Sequence, residues 1–282
     1  MENTKQNPLS KYFRQPAIYM KLPSNGQYWA EGAVELPVTG EIPVYPMTAK
    51  DEVTIRTPDA LMNGTSVVTI IESCCPSIKD AWKMPSVDVD AVLIGIRIAS
   101  YGAAMNIDTK CPHCSEENAH DINLTGVLDG LGCPDYTQKI EAHDLKIKVR
   151  PQEFFEVNKR NVIAFEEQRL VDALGNSALS AEDRTTQIVT SMDKLVELGI
   201  STVTQSTESI ELADGTLVTD TGHISEFYSN TDGNVVRQVQ SHLAKMANEY
   251  AIKPQKVSCS ECQKTYDVPL EFDYANFFAA GS

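Results

Sequence analysis

After the first 46 residues, apolar residues recur three or four positions apart, the spacing that places them on one face of a helix. Thr48 and Asp51 fit a capping box at the start of the first of these helices. Further along, Asp88 or Asp90 begins a strongly apolar helix that Gly102 ends. The pattern predicts a compact set of short helices in this region.

Two details of the helical region carry predictions of their own. Thr57 followed by Pro58 is a typical helix start, and Gly64 fits the end of the same helix. Arg97 lies in the most apolar helix. We therefore expect its long side chain to snorkel to the surface or to pair with a nearby acid.

The centre of the chain, residues 135–252, is predicted to be mainly helical. Weak strands are predicted at 136–141 and 144–150, and Asp214-Gly215 indicates a hairpin turn. Amphipathic helices carry apolar faces at Phe155, Ile163 and Leu170; at Ile188, Met192 and Leu195; and at Val235, Val239, Leu243 and Met246. Three such helices can bury a shared core, so this block is expected to fold as an inserted subdomain.

Residues 1–46 have many turn residues and little helical periodicity. Two extended pairs are predicted, one around the Pro-Ser-Asn-Gly turn and one around Thr39-Gly40. The aromatic content argues against disorder. We interpret the segment as an extended N-terminal arm that docks on its own domain or on a neighbouring subunit. The arm is predicted to join this chain to a partner subunit, so a chain that starts near Met47 is expected to fold without it but not to assemble with that partner.

Composition narrows the possible partners. The 282 residues include 24 basic and 39 acidic side chains, for a net charge of −15. Such a surface disfavours nucleic acid and anionic membranes. The first 15 residues lack an apolar core, and no apolar run reaches the length of a membrane span. We expect a protein made and kept in a cytosol-like compartment, where paired cysteines indicate a metal site before a disulfide.

Two Cys-x-x-Cys pairs, "CPHC" and "CSEC", supply the residues Cys111, Cys114, Cys259 and Cys262. Each pair stands between two predicted strands, which is the two-hairpin plan of a zinc ribbon. The intervening chain is tolerable because the entropy of loop closure grows slowly with length. The spacing predicts one structural Zn²⁺ held by four cysteines, a closed site without an open position for catalysis.

Several alternatives to this ligand set remain. One cysteine could be replaced as a ligand by His113, His120 or Cys133, which lie close enough in sequence. The two Cys-x-x-Cys turns, here called the first and second knuckles, could also be metal-free remnants or a redox dithiol. Many knuckles have glycine after the second cysteine, where the backbone often enters the left-handed region. Here Ser115 and Gln263 occupy those positions, at some backbone cost.

Other candidate residues point to structure rather than catalysis. Cys74 and Cys75 lie in an apolar helical stretch and are expected to be buried free thiols. His223 and Asp220 fit the capped start of a helix better than a catalytic pair. Phosphate-binding, dinucleotide-binding, serine hydrolase and zinc protease motifs are absent from the sequence. The acids of residues 164–173 fit a solvated helix face, with a glycosidase-type carboxylate pair as the alternative. We therefore expect a protein that is not an enzyme.

These observations predict an α+β fold that is mainly helical, with a discontinuous four-cysteine zinc ribbon. The expected divisions are the extended arm, 1–46; a helical domain with the first knuckle, 47–134; the inserted subdomain, 135–252; and the second knuckle with C-terminal strands, 253–282.

Several blocks resemble the baseplate hub proteins of T-even-type contractile-tailed phages (myoviruses), most strongly over residues 10–125. They are "YFRQPAIYMKLPSNGQYW", "EIPVYPMTAKDE", "TPDALMNG", "IESCCPSIKD", "DAVLIGIRIASYG" and "CPHC". The segment "DTGHISEF" and the closing "CSEC" fit more loosely.

The resemblance implies a structural component of the tail baseplate, made in the host cytoplasm and found in the virion. Its partners would be other baseplate and tail proteins within a large symmetric assembly. The resemblance implies neither enzyme activity nor a small-molecule substrate. A soluble hub-assembly chaperone that leaves before the virion is complete is the alternative.

Overall fold

The computed structural model of this chain describes residues 7–55, 64–175, 180–270 and 277–278. The helices are α1 (Ala49–Ile55), α2 (Thr65–Cys74), α3 (Ser86–Tyr101), α4 (Leu124–Asp129), α5 (Phe154–Gly175), α6 (Ala181–Gln205), α7 (Thr221–Asn230) and α8 (Gly233–Tyr250). The strands are β1 (Ile18–Lys21), β2 (Glu41–Val44), β3 (Ala104–Lys110), β4 (Glu117–Asn123), β5 (Lys139–Ala142), β6 (Leu145–Val149), β7 (Thr207–Glu211), β8 (Leu217–Val218), β9 (Gln255–Ser258) and β10 (Thr265–Val268). The protein is α+β, as predicted. The helix start predicted at Thr57-Pro58 and any strand within 271–276 lie outside the described residues.

The described strands form four antiparallel sheets, three of two strands and one of four. β3 pairs with β4 and β9 pairs with β10, so both predicted hairpins around the cysteine pairs are confirmed. The larger sheet has the order β5-β6-β7-β8. In the chain, α5 and α6 lie between β6 and β7. The strands predicted near 136–150 and the hairpin at Asp214-Gly215 are also confirmed.

The described part of the N-terminal segment lies against the helices of its own chain. β1 pairs with β2, and the side chains of Met20, Leu22, Ile42 and Val44 are all buried. Gly95 of α3 permits close approach of β1, because an added Cβ there would lie 2.5 Å from the Met20 sulfur. These residues therefore form part of the protein's own hydrophobic core.

The prediction of two local extended pairs in this segment is wrong. β1 instead pairs with β2, with Ile18 opposite Val44 and Lys21 opposite Glu41. The chain between the strands turns repeatedly, and Asn25 and Tyr28 adopt left-handed backbone conformations with φ of 52° and 67°. These turns direct the segment toward α3 instead of letting it fold as local hairpins.

Asp88 of α3 holds the turns in place. Its fully buried carboxylate accepts hydrogen bonds from the Ser24 backbone N–H and the Trp29 indole N–H, each at 2.8 Å, and from the Ser24 hydroxyl. Burial raises the pKa of Asp88, while the bonds from Ser24 and Trp29 oppose that rise. Asp88 or Asp90 was expected to start the helix, but α3 begins at Ser86. Asp88 instead ties the N-terminal segment to the first turn of α3.

Replacing Asp88 with alanine is expected to lower the free energy of unfolding by about 3 kcal/mol, because each buried donor left unpaired costs about 1–3 kcal/mol. Urea unfolding of Asp88→Ala against the wild type measures the loss. Asp193→Ala, at an exposed position of α6, is the control and should change stability by less than about 0.5 kcal/mol. Equal stability of the two variants would contradict the role assigned to Asp88.

The buried apolar side chains form two clusters, here called the first core and the second core. The first core joins β1 and β2 to α2, α3 and both cysteine hairpins, and its members include Ile42, Ile70, Ile71, Val92, Ile94, Ile122, Val257 and Val268. The second core lies between the four-stranded sheet and the helices α6 to α8, and its members include Ile147, Val149, Val203, Ile210, Ile224, Val235 and Val239. The buried members of the second core fall within residues 135–252, and Tyr28, Val87 and Cys133 from outside that range pack against it.

Two backbone hydrogen bonds join the segment before α3 to the segment before α5. The Phe154 N–H donates to the Met84 carbonyl and the Ser86 N–H donates to the Gln152 carbonyl, each at 2.8 Å. Trp82 stacks on Phe154 with ring centroids 5.6 Å apart. The start of α5 is thereby fixed against the start of α3.

Arg97 does not snorkel to the surface. Its side chain is 1% exposed, and its guanidinium carbon lies 5.0 Å from the centroid of the Tyr101 ring and 5.7 Å from that of Phe277. Such distances permit cation–π attraction, which offsets part of the cost of burying the charge. Burial also lowers the pKa of Arg97.

The prediction that three amphipathic helices share one core holds for α8 but is wrong for the predicted apolar faces of α5 and α6. Val235, Val239 and Met246 are buried, whereas Phe155 and Leu170 of α5 and Met192 of α6 are exposed. The two helices meet partly through polar groups, because buried Glu167 accepts hydrogen bonds from the Ser191 hydroxyl and the Lys194 ammonium.

None of the described helices is long and apolar enough to cross a membrane.

Candidate metal centre

The two Cys-x-x-Cys pairs occupy the tips of two hairpins, one formed by β3 and β4 and the other by β9 and β10. In the first knuckle, the Cys111 N–H donates to the Glu116 carbonyl at 2.8 Å, and the Ser115 N–H donates to the Cys111 carbonyl at 2.9 Å. The second knuckle repeats both bonds between equivalent residues. The similarity of the two sequences therefore extends to their backbone structure.

Ser115 and Gln263 take the left-handed conformation that many knuckles assign to glycine. Their φ angles are 63° and 55°. A non-glycine residue in this region costs about 1–2 kcal/mol. Each residue directly follows the second cysteine of its pair and donates its backbone N–H to the carbonyl of the first cysteine, where the chain leaves the knuckle toward the next strand. The left-handed conformation therefore occurs at the two positions, after the second cysteine of each pair, where the sequence predicted a backbone cost.

The four predicted cysteines meet at one point. Their sulfur atoms all lie within 4.8 Å of one another, with Cys111 and Cys262 at 3.8 Å and Cys114 and Cys259 at 3.5 Å. Four sulfurs placed tetrahedrally around zinc, at about 2.3 Å from it, lie about 3.8 Å apart. The donor set and spacing therefore fit a tetrahedral metal ion.

None of the three alternative ligands joins this cluster. The His113 side chain is exposed, although its backbone N–H donates to the Cys111 sulfur at 3.4 Å. The His120 ring nitrogen Nε2 lies 3.0 Å from the Tyr266 hydroxyl. Cys133 packs against the second core and donates to the Pro134 carbonyl. Both knuckles lie in hairpin loops rather than at helix starts, a position that does not favour a redox dithiol.

The second knuckle favours a thiolate. Backbone N–H groups of Cys262 and Glu261, together with contacts from Cys114 and Asn118, lower the pKa of Cys259 to about 6, while the thiol of Cys114, which shares a proton with Cys259, has its pKa raised. A metal ligand must be deprotonated, so of these two coupled thiols Cys259 is the one whose surroundings favour the form that binds a cation.

Two residues that the sequence did not single out connect the halves of the site. Asn118 of β4 is buried and contacts both Cys259 and Ser260 of the second knuckle. The Tyr266 hydroxyl of β10 lies 2.7 Å from the Thr109 hydroxyl oxygen of β3. Neither belongs to a recognisable motif, and the signal available was their position within the strands that flank the knuckles.

The remaining candidates have structural placements. His223 is exposed, and its backbone N–H donates to the Asp220 carboxylate at 2.9 Å, so this pair caps α7. Cys74 and Cys75 are buried in the first core. Burial raises the pKa of Cys74 to about 11 and also raises that of Cys75, which keeps both thiols protonated.

The fold and the site define an α+β protein with a divided four-cysteine site able to hold a metal ion. A family described as T4 bacteriophage base plate protein matches residues 16–279, and the chain belongs to this family. It is therefore a phage baseplate protein of the T4 type, as the resemblance predicted. No curated protein and no solved structure shows a significant match to this chain.

Proposed function

We propose that this chain is a structural subunit of the hub region of a contractile phage tail baseplate. The family match over nearly the whole chain carries the proposal. The hub assignment is supported by the resemblance of residues 10–125. The partners would be other baseplate and tail proteins in a large symmetric assembly, and the proposal includes no enzymatic activity, nucleic acid or small-molecule substrate.

We propose further that the cluster of Cys111, Cys114, Cys259 and Cys262 holds one structural Zn²⁺. Four thiolates at tetrahedral spacing are a ligand set that zinc prefers, and they leave no coordination position for water. The metal would join the middle of the chain to its end. Residues 135–252 would then leave and return at one place as an inserted subdomain, a division supported by the separate second core.

The surface that contacts neighbouring subunits is proposed to include the outer side of the N-terminal segment. Tyr12 and Phe13 are 73% and 57% exposed. Arg14 fixes the adjacent backbone through hydrogen bonds to the carbonyls of Pro46 and Ser73 at 2.7 and 2.8 Å. Two exposed aromatic rings next to a firm anchor can be buried by a partner at little cost in chain entropy.

Changing Tyr12 and Phe13 together to serine is expected to weaken incorporation into the baseplate, because aromatic interface residues often contribute about 2 kcal/mol or more each. The melting temperature should not change, since neither side chain is buried. A pull-down of baseplate intermediates, with Leu217→Ser as a matched exposed control on β8, measures the effect. Normal incorporation of the double variant would remove the N-terminal surface from the proposal.

A soluble assembly chaperone that leaves the hub before the virion is complete is the second candidate. Its support is the high acidic charge of −15, which favours solubility of a free protein. Quantitative mass spectrometry of purified particles separates the two functions. A structural subunit should be present at a fixed ratio to other baseplate proteins. A chaperone should be abundant in infected-cell lysate and missing from the particles.

A further inference from the structure

We infer that Asn118 is a positioning residue that fixes Cys259 for metal binding and joins the two halves of the site. This inference rests on the proposed zinc site. Asn118 is the second residue of β4 and lies four positions after Cys114. Its side chain reaches the second knuckle. It therefore connects segments that are more than 140 residues apart in sequence.

Both the oxygen and the nitrogen of the Asn118 side-chain amide make polar contacts. Its oxygen accepts hydrogen bonds from the Ser260 backbone N–H and from the Ser260 hydroxyl, each at 2.8 Å. Its nitrogen donates to the Glu116 carbonyl at 3.0 Å and lies 3.6 Å from the Cys259 sulfur, as a donor. The residue is 6% exposed, so water cannot easily replace these contacts.

This arrangement requires a short side chain that carries both a hydrogen-bond donor and a hydrogen-bond acceptor. Aspartate would keep the acceptor for Ser260, but it would place a second negative charge beside the thiolate of Cys259. Alanine would leave the Ser260 donors without their acceptor. Groups that hydrogen-bond to metal ligands orient those ligands, and their loss commonly weakens metal binding about 10-fold to 100-fold.

The hairpins have a second connection that does not involve Asn118. The Tyr266 hydroxyl contacts both the Thr109 hydroxyl and the His120 ring, and Val257 and Val268 pack in the first core. Replacement of Asn118 should therefore leave the hairpins assembled. Its effect should appear in the metal site more than in the fold.

The test is zinc affinity of the full chain, measured by competition with a chromophoric chelator, for the wild type, Asn118→Ala, Asn118→Asp and Ser260→Ala. Both Asn118 variants should raise the dissociation constant about 10-fold to 100-fold, and Ser260→Ala should raise it only several-fold, since one bond of the pair remains. Asn106→Ala is the control. Asn106 is an exposed asparagine of β3 that donates to Asp121 at 3.2 Å, and its loss should leave zinc affinity unchanged.

Cobalt(II) substitution supplies a second readout. Loss of the donor to the Cys259 sulfur should shift the thiolate-to-cobalt charge-transfer band in both Asn118 variants, but not in Asn106→Ala. If Asn118→Ala does not fold, Asn118→Asp and Ser260→Ala still decide the matter. A wild type that binds zinc together with variants that match its affinity would overturn this inference alone. A wild type that binds no zinc would overturn the zinc proposal and this inference with it.

Discussion

A chain that begins at Met47 is expected not to fold. The deletion removes four buried side chains of the first core, Met20, Leu22, Ile42 and Val44. Burial of each contributes about 1.5–3 kcal/mol, so the loss is roughly 6–12 kcal/mol. That is comparable with the total stability of a typical protein, about 5–15 kcal/mol. The expectation from sequence, that the arm is separable from the folded domain, is replaced by its opposite.

The deletion also removes both partners of buried Asp88 and the Arg14 contacts to the carbonyls of Pro46 and Ser73. Circular dichroism and a thermal melt of residues 47–282 provide the measurement. A chain that starts at Arg14 is the control, because it loses the exposed Tyr12 and Phe13 but keeps the buried strands. A cooperative melt of the shorter chain, near the temperature of the full one, would show that the N-terminal strands are dispensable.

Cys262→Ser is expected to produce the second largest effect. Binding of structural zinc contributes about 10–16 kcal/mol in isolated zinc-finger peptides. A loss of only about 4 kcal/mol here would lower the melting temperature by about 8–16 °C in a protein of this size. Because β9 and β10 contribute Val257 and Val268 to the first core, the damage should begin in that core.

Limited proteolysis and plasma mass spectrometry measure both consequences of this substitution. New cleavage is expected near 111–116 and 255–268, zinc content should fall from about one per chain toward zero, and the region of the second core should persist as a fragment. Cys133→Ser is the matched control, because that thiol lies outside the four-sulfur cluster. Unchanged zinc content and melting temperature in Cys262→Ser would exclude the metal site. Simultaneous loss of both cores would exclude an independently stable inserted subdomain.

Sequence predicted the features that depend on neighbouring residues. The capping box is present, with the Thr48 N–H donating to the Asp51 carboxylate at 2.8 Å. Asp220 caps α7, and Gly215 makes its turn with φ of 84°. The knuckles form at the predicted places for the same reason: short-range chemistry determines each of them. Bringing the two knuckles together followed from ligand number, since neither pair alone completes a four-sulfur set.

Apart from the meeting of the two knuckles, the sequence did not predict contacts between distant segments. The pairing of β1 with β2 and the attachment of Ser24 and Trp29 to Asp88 depend on where α3 lies, which no local pattern specifies. An amphipathic pattern also does not identify what covers the apolar face. Val239 is buried within the chain, whereas Met192 at equally regular spacing is exposed. Asn118 was missed because a single polar residue in a strand carries no signal of its partner.

The proposed function is that of a zinc-stabilised structural subunit of the baseplate hub. A cryo-EM map of the assembled tail end tests it most directly. The account predicts density for the chain near the tail axis, a metal peak among Cys111, Cys114, Cys259 and Cys262, and a neighbouring subunit against Tyr12. Absence of the chain from a complete baseplate would contradict the structural role, and four cysteines without density between them would contradict the zinc.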